Sequence, residues 1–352
     1  KIDPGFEGER AVVMTVAPGL TAWDRTRRDE VLSTLLERTR ALPGVEAAAI
    51  ASRLPLGAAF QTNEIYPVGV EVDLESPPVV DVTRITPDYF HTLEIPILEG
   101  RDFADSDDAD APLVVILSEA AARQHWPGEN ALGKTLRLGG PDTEVRTVIG
   151  VARDTKVRTL GEASRPYVYQ AWRQTNESFG SLVARTSGEP GPLLPMLQRE
   201  ARAIAEDLPV MELKTMPEHL GLMLFAPRMG GILLAVFGGL AALLATVGLY
   251  GVVAYTAARR TREVGIRVSV GASPTDVIKL MIGQGTALVG VGALIGLALA
   301  FVATRPLGSM LYGVGVSDPL TYGGVALLLV GVGLAATLIP ALRASRLDPV
   351  KA

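Results

Sequence analysis

The alternation of apolar and polar residues changes character near residue 220. Before it, short patterned segments follow one another. Residues 12–16 read as a strand, 23–41 as a helix with Val31, Leu32, Leu35 and Leu36 on one face, and 45–51 as a strand after the Pro43-Gly44 break. The same order recurs later, with a strand at 182–185, a helix at 193–208 that aligns Leu197, Ile204 and Leu208, and a strand at 210–213 after Pro209. Between the two, strands are predicted at 64–72, 79–85, 113–117, 135–138 and 145–151, and short helices at 87–93 and 118–125. This pattern predicts an α+β domain over residues 1–220, with room for two subdomains.

After residue 220 the pattern is almost uniformly apolar. Uncharged runs cover 229–258, 280–304 and 319–342, and each stops at arginine: Arg259, Arg305 and Arg343. A thirty-residue helix is about 45 Å long, against a hydrocarbon core of about 30 Å. Residues 221–352 are therefore predicted to form an all-α membrane domain of three transmembrane helices. Gly292 and Gly296 form a GxxxG pair suited to close helix packing. No Asp, Glu, Lys, Arg or His falls inside a span, which argues against a proton relay or ion-coupled carriage.

Charge then gives the orientation. Of 33 Lys/Arg and 38 Asp/Glu in the 352 residues, ten and four lie in 221–352, leaving 23 and 34 in 1–220. The net charge of −5 thus conceals an acidic first part at −11 and a basic second part at +6. The loop after the first span holds Arg259, Arg260, Arg262, Arg267 and Lys279, the tail holds Arg343, Arg346 and Lys351, and the remaining loop holds Arg305 alone. The positive-inside rule makes 259–279 and the C-terminus cytoplasmic and places 1–220 on the periplasmic or extracellular side. Moving such a domain across a membrane ordinarily needs a preceding span, so a fourth helix upstream is expected.

Composition removes several classes of chemistry. Cysteine is absent, which excludes disulfides, thiolate metal sites and a cysteine nucleophile. The acidic balance argues against nucleic acid as a partner. Gly128-Glu-Asn-Ala-Leu-Gly133-Lys134-Thr135 satisfies the phosphate-loop expression, but a helix-like segment enters it and a strand-like one leaves, the reverse of the required context. His91, His125 and His219 are isolated and are expected at the surface or in capping roles, and Asp105, Asp107, Asp108 and Asp110 read as a solvated loop. No catalytic, cofactor or metal site is predicted.

The most informative segment is 259–276, in which Val264, Ile266, Val268 and Val270 sit between charges, a pattern suited to a short helix at the membrane surface or on a partner. Arg259, Arg260, Arg262, Glu263, Val264, Gly265, Ile266, Arg267, Gly271 and Ala272 follow in order a pattern resembling that of the FtsX/MacB-type permeases of ABC transporters. Leu311-Tyr312-Gly313, Asp318-Pro319 and the Pro340-Ala341, Arg343-Ala344, Asp348-Pro349 series extend the likeness. In the first domain, Pro87-Asp-Tyr-Phe90, Gly100-Arg-Asp-Phe103, Trp126-Pro127-Gly128 and Val148-Ile149-Gly150-Val151 are similar to the MacB-type periplasmic core domain.

The resemblance implies a multi-pass protein of the bacterial cytoplasmic membrane with one helix, a periplasmic domain and then three helices. It implies that ATP is hydrolysed by a separate cytosolic ATPase, this chain not being an enzyme, and that the closure is transmitted to the periplasmic side. Residues 259–276 would dock on that ATPase, with Arg262, Glu263 and Arg267 in polar contacts and Gly265 and Gly271 allowing close approach. Further implied partners are a second permease copy or half and, in exporters, a periplasmic adaptor. The opening Asp3-Pro4-Gly5-Phe6 is similar to the start of the second half of duplicated eight-span members. Export is the leading expectation. The alternative is a signalling transducer that controls an envelope hydrolase or a sensor kinase and moves nothing.

Overall fold

The computed structural model describes residues 3–57, 59–259, 290–292, 294–300, 302, 323–324, 327 and 330–331. It divides into one unit over Lys1–Phe225 and another over Ala226–Ala352.

The first unit is built on the repeated strand–helix–strand order. The first copy is β1 (Ala11–Val16), α1 (Arg25–Arg40) and β2 (Val45–Ala51). Asp24 caps α1, its Oδ1 accepting the Arg27 N–H at 2.8 Å and satisfying one donor of the first turn. The second copy consists of the strands we label β10 (Gly180–Thr186) and β11 (Val210–Thr215), flanking α4 (Leu193–Ile204). The two copies interleave antiparallel in the order β11-β1-β10-β2, the ferredoxin-like split βαβ arrangement. Strict alternation sends each strand's side chains to opposite faces. On one face, Val12, Met14, Val16, Ala48, Ile50, Leu182 and Ala184 pack against Val31, Leu32 and Leu35 of α1 and Leu193, Leu197 and Ala201 of α4. On the other, Ala11, Val13, Ala49, Ala51 and Val183 join a second core.

The segment between β2 and β10 is a nested domain. Its strands are β3 (Thr62–Pro67), β4 (Val79–Ile85), β5 (Ile97–Gly100), β6 (Val114–Ser118), β7 (Thr135–Leu138), β8 (Arg146–Ala152) and β9 (Tyr167–Ala171), with short helices α2 (Tyr89–Thr92) and α3 (Glu119–His125). Pairing runs β4-β3-β7-β8-β6-β9, and β9 returns to pair in parallel with β4, closing six strands into a ring. Closure removes the free edges that an open sheet would present. All six strands contribute to one interior cluster, among them Ile65, Val82, Val115, Leu136, Val148 and Val168. The outer faces of β4, β6 and β9 supply Ile85, Ile116, Tyr167 and Tyr169 to the core shared with β1, β2 and β10, where Tyr89 and Phe90 of α2 stack on Tyr169.

The predicted elements are present with altered ends. The strand predicted at 64–72 stops at Pro67, because 68–72 turn away from the sheet and leave Val68 and Val70 exposed. The helix predicted to 208 ends at Ile204, and Leu208 enters the core from the following loop. β5 and β9 carry no prediction.

Candidate functional site

β11 leads directly into α5 (Met216–Arg259), a helix of 44 residues. Its start is fixed by a reciprocal cap: the Thr215 N–H donates to Glu218 Oε2 at 2.9 Å, and the Glu218 N–H donates to Thr215 Oγ1 at 3.3 Å. The Thr215 backbone N–H, donating to the carboxylate, is the main cause that holds the Glu218 carboxyl below the usual range. Within α5, the 24-residue stretch Met229–Val252 contains an 18-residue window of mean hydropathy 2.4 in which none of the described residues is buried. Phe237, Leu240, Leu243 and Val247 are more than half exposed and Leu244 is 69% exposed. Twenty-four helical residues reach about 36 Å, enough to cross a bilayer core. A stripe of this length, apolar on every side, is stable only where lipid or protein covers it.

Arg259, the first of the expected coupling residues, is the last residue of α5. Arg260, Arg262, Glu263, Gly265, Ile266, Arg267, Gly271 and Ala272 lie outside the described residues. Gly292 and Gly296 lie one turn apart on the apolar helix Gly290–Ala300, and a Cβ at either would meet open space. Among the described residues one helix, Met229–Val252, is long and apolar enough to span; most of the second and third expected spans falls outside them.

In the first unit the motifs noted in the sequence acquire structural roles. Gly100, at φ +77°, lets β5 approach β8 so closely that a Cβ would collide with the Ile149 carbonyl. Arg101 takes Asp107 in a two-pronged ion pair at 2.7 and 2.8 Å, which holds the Asp107 carboxyl below its usual range. Asp102 is pushed up to about 6, chiefly by burial, although its Oδ1 accepts the Phe103 N–H at 2.7 Å. Phe103 is in the core. The Asp loop is tied to its own chain, Asp105 facing Arg173 at 3.5 Å and Asp108 accepting the N–H groups of Asp110 and Ala111.

In the phosphate-loop look-alike, α3 enters and β7 leaves. Gly128 and Gly133 turn with positive φ, and Lys134 pairs with Glu129. The segment is a glycine-punctuated turn with no helix N-terminus to receive a phosphate. The histidine expectation needs correction. His91 is exposed and contacts Arg185, but His125 and His219 are buried, and burial lowers the pKa of both. Trp126 lies edge-on to His125 at 6.1 Å, and His219 Nδ1 is 3.9 Å from Glu212 Oε2.

A buried acid that the sequence reading passed over organises the loop before β9. Asp81, with its side chain 1% exposed, accepts from Arg158 Nη2 at 2.6 Å and from Arg165 Nε at 2.9 Å. Arg158 also lies over the Phe60 ring, 3.8 Å from its centroid. Nothing local in the sequence signals this, since Arg158 is 77 residues from its partner.

A folded mixed α/β unit and an exposed apolar helix of spanning length define a membrane protein with a large domain in water. The chain belongs to the FtsX/MacB-type ABC permeases: the MacB-like periplasmic core domain matches residues 2–191 and the FtsX-like permease C-terminal domain matches 235–349. Relatives include the pyoverdine export ATP-binding/permease protein PvdT of Pseudomonas putida, 25% identical over 73% of this chain and 40% of its own length. The macrolide export ATP-binding/permease protein MacB of Marinobacter nauticus shows the same identity and the same two coverages. The uncharacterized ABC transporter permease YknZ of Bacillus subtilis is 23% identical over 77% of this chain and 69% of its own length. The chain thus spans about 40% of the length of the two ATP-binding/permease relatives. Among solved structures, the periplasmic region of MacB from Actinobacillus actinomycetemcomitans is 15% identical, covering 61% of this chain and 92% of its own, with a TM-score of 0.43.

Proposed function

We propose that this chain is the permease part of an ABC-type exporter, in which ATP hydrolysis on a separate cytosolic subunit drives a conformational change on the periplasmic side. The observation that carries the reading is the exposed apolar helix Met229–Val252, followed in sequence by the Arg259–Ala272 pattern at the end the positive-inside rule assigns to the cytoplasm. In this reading residues 1–220 are the periplasmic domain, 221–352 the membrane domain with spans near 229–258, 280–304 and 319–342, and 259–276 the docking segment for the ATPase.

Of the relatives' names, that of YknZ supports a permease with its ATPase on another subunit. PvdT and MacB carry ATP-binding and permease functions in one protein, whereas YknZ is named as a permease alone. Their pyoverdine and macrolide cargoes belong to them; the cargo of this chain is a separate question. A second permease copy or half completes the membrane assembly, with Gly292 and Gly296 in helix packing and a periplasmic adaptor as a further partner.

Charge reversal at Glu263 and Arg267 together tests the docking role. Pull-down of the cognate ATPase and its stimulation by the permease are expected to fall at least tenfold while the membrane level of the chain is unchanged. Unaltered pull-down and stimulation would remove the docking assignment. Transport of a candidate cargo by vesicles holding both components separates export from signal transduction.

A further inference from the structure

The six-stranded ring has unlike ends. At one, Ala121, Trp126 and Ala131 complete the apolar interior. At the other, β4, β7 and β9 finish and β3, β6 and β8 begin, and the alternation that places Val82, Val148 and Val168 inside also carries Arg84, Arg146 and Gln170 inward. Arg84 stands beside Gln170 in the β4–β9 ladder, while β8, the strand of Arg146, lies across the ring from β4.

These groups are poorly matched to one another. Nε and Nη1 of Arg146 are buried without a hydrogen-bond partner, as is the Gln170 Oε1, in a residue only 3% exposed. Arg84 Nη1 donates to Gln61 Oε1, but its Nε, 3.1 Å from Glu177 Oε1, is not directed along a hydrogen bond. Arg53 Nε is a further orphan. Burial lowers the pKa of both Arg84 and Arg146, with neighbouring arginines adding to the effect and Glu177 and Glu144 opposing it. Two donors of Arg146 and one of Arg84 therefore stay without an acceptor. An unmet buried donor costs about 1–3 kcal/mol, and more when charged. A guanidinium satisfies its donors best against an oxyanion, whose oxygens match its fork.

We propose that this end of the ring is an anion site that takes an oxyanion group, such as a phosphate, between Arg146 and Arg84. The anion supplies the missing acceptors. A half-turn of the Gln170 carboxamide directs its NH2 into the same space, adding a third donor. The site sits in the water-exposed unit and is independent of the docking role of residues 259–276. A free phosphate and the phosphodiester of a lipid head group offer the same chemistry.

The test is equilibrium dialysis of the full chain in detergent against radiolabelled inorganic phosphate, at ionic strength held constant with chloride. Saturable binding near one phosphate per chain is expected, weakened at least tenfold in Arg146→Gln and in Arg84→Gln and unchanged in Arg199→Gln on the exposed face of α4. Competition by glycerophosphoglycerol stronger than by free phosphate assigns the site to a head group, and the reverse order assigns it to a free ion. Either outcome supports the site. Should the arginine variants fail to fold, the wild-type isotherm still decides. Absence of saturable binding in the wild type, or binding that the two variants leave intact, would overturn the proposal and leave a bridging water as the partner of the orphaned groups.

Discussion

Asp102 shows how one side chain sets a pH dependence. Its carboxyl titrates near 6 in the folded protein and near 3.9 in an unfolded chain, so between those values the folded state holds the extra proton. Stability contributed by this group is therefore complete below about pH 4 and is lost as the pH rises through 6. Asp102→Asn keeps Oδ1 for the Phe103 N–H and removes the charge. The variant is expected to gain about 1–2 kcal/mol at pH 7.5, after discounting for partial solvent screening, and nothing at pH 4. Urea titrations of both proteins at the two pH values check this; an equal gain at both would show that the effect does not come from ionisation. The Gly100–Phe103 motif was legible as a family likeness, but its physics was not. Close approach at Gly100, the Arg101–Asp107 pair and burial of Asp102 all depend on β8 and on the loop that follows.

At the scale of elements, local patterning carried far. β1, α1, β2, α4 and β11 were visible because each has one clear period and a punctuating proline, glycine or cap. β9 was not visible, since Tyr-Val-Tyr-Gln-Ala is buried at every position and therefore lacks the alternation of a half-exposed strand. β5 is four residues long and mostly exposed, with too little pattern to register. The ring itself rests on β4 meeting β9, a pairing of residues 86 apart such as Asp81 and Tyr167, which no local window contains. The orphaned arginines were missed for the same reason: Arg84 and Arg146 become neighbours only when the ring closes. The apolar stretch of α5 was fully legible, because every position agrees. Leu240, near the middle of Met229–Val252, gives it a direct test: Leu240→Arg is expected to raise the apparent insertion free energy by about 3 kcal/mol in a translocon insertion assay, whereas the same change at Leu220 should have little effect. Equal effects would mean that 229–252 does not span.

At the scale of the molecule, the lack of cysteine becomes an experimental asset. Any introduced thiol is unique, so single substitutions report sidedness without background. Asp105→Cys, on the exposed loop after β5, is expected to react with a membrane-impermeant maleimide once the outer membrane is opened. Ser273→Cys, in the basic segment, should react only after the inner membrane is broken. Reaction of Ser273→Cys from outside would invert the assigned orientation. The proposed orientation rests on charge, because short-loop arginines are distributed unevenly around the apolar runs.

The placement of the ring within the split βαβ sheet also governs the order in which the protein can be completed. Within this unit β1 is synthesised before the other strands, yet both its neighbours, β10 and β11, come from residues 180–215. During synthesis β1, α1 and β2 exist as a half-sheet with open edges, while the ring between them has every strand it needs once β9 has emerged. The nested ring can thus mature first, and the strands that enclose it last sit immediately before the helix bound for the membrane. Such long-range pairing is intrinsically slow and leaves edges exposed to mispairing in the interval. Export of this chain therefore requires that the early half-sheet be kept from other strands until its own partners arrive, a demand made by chain order alone.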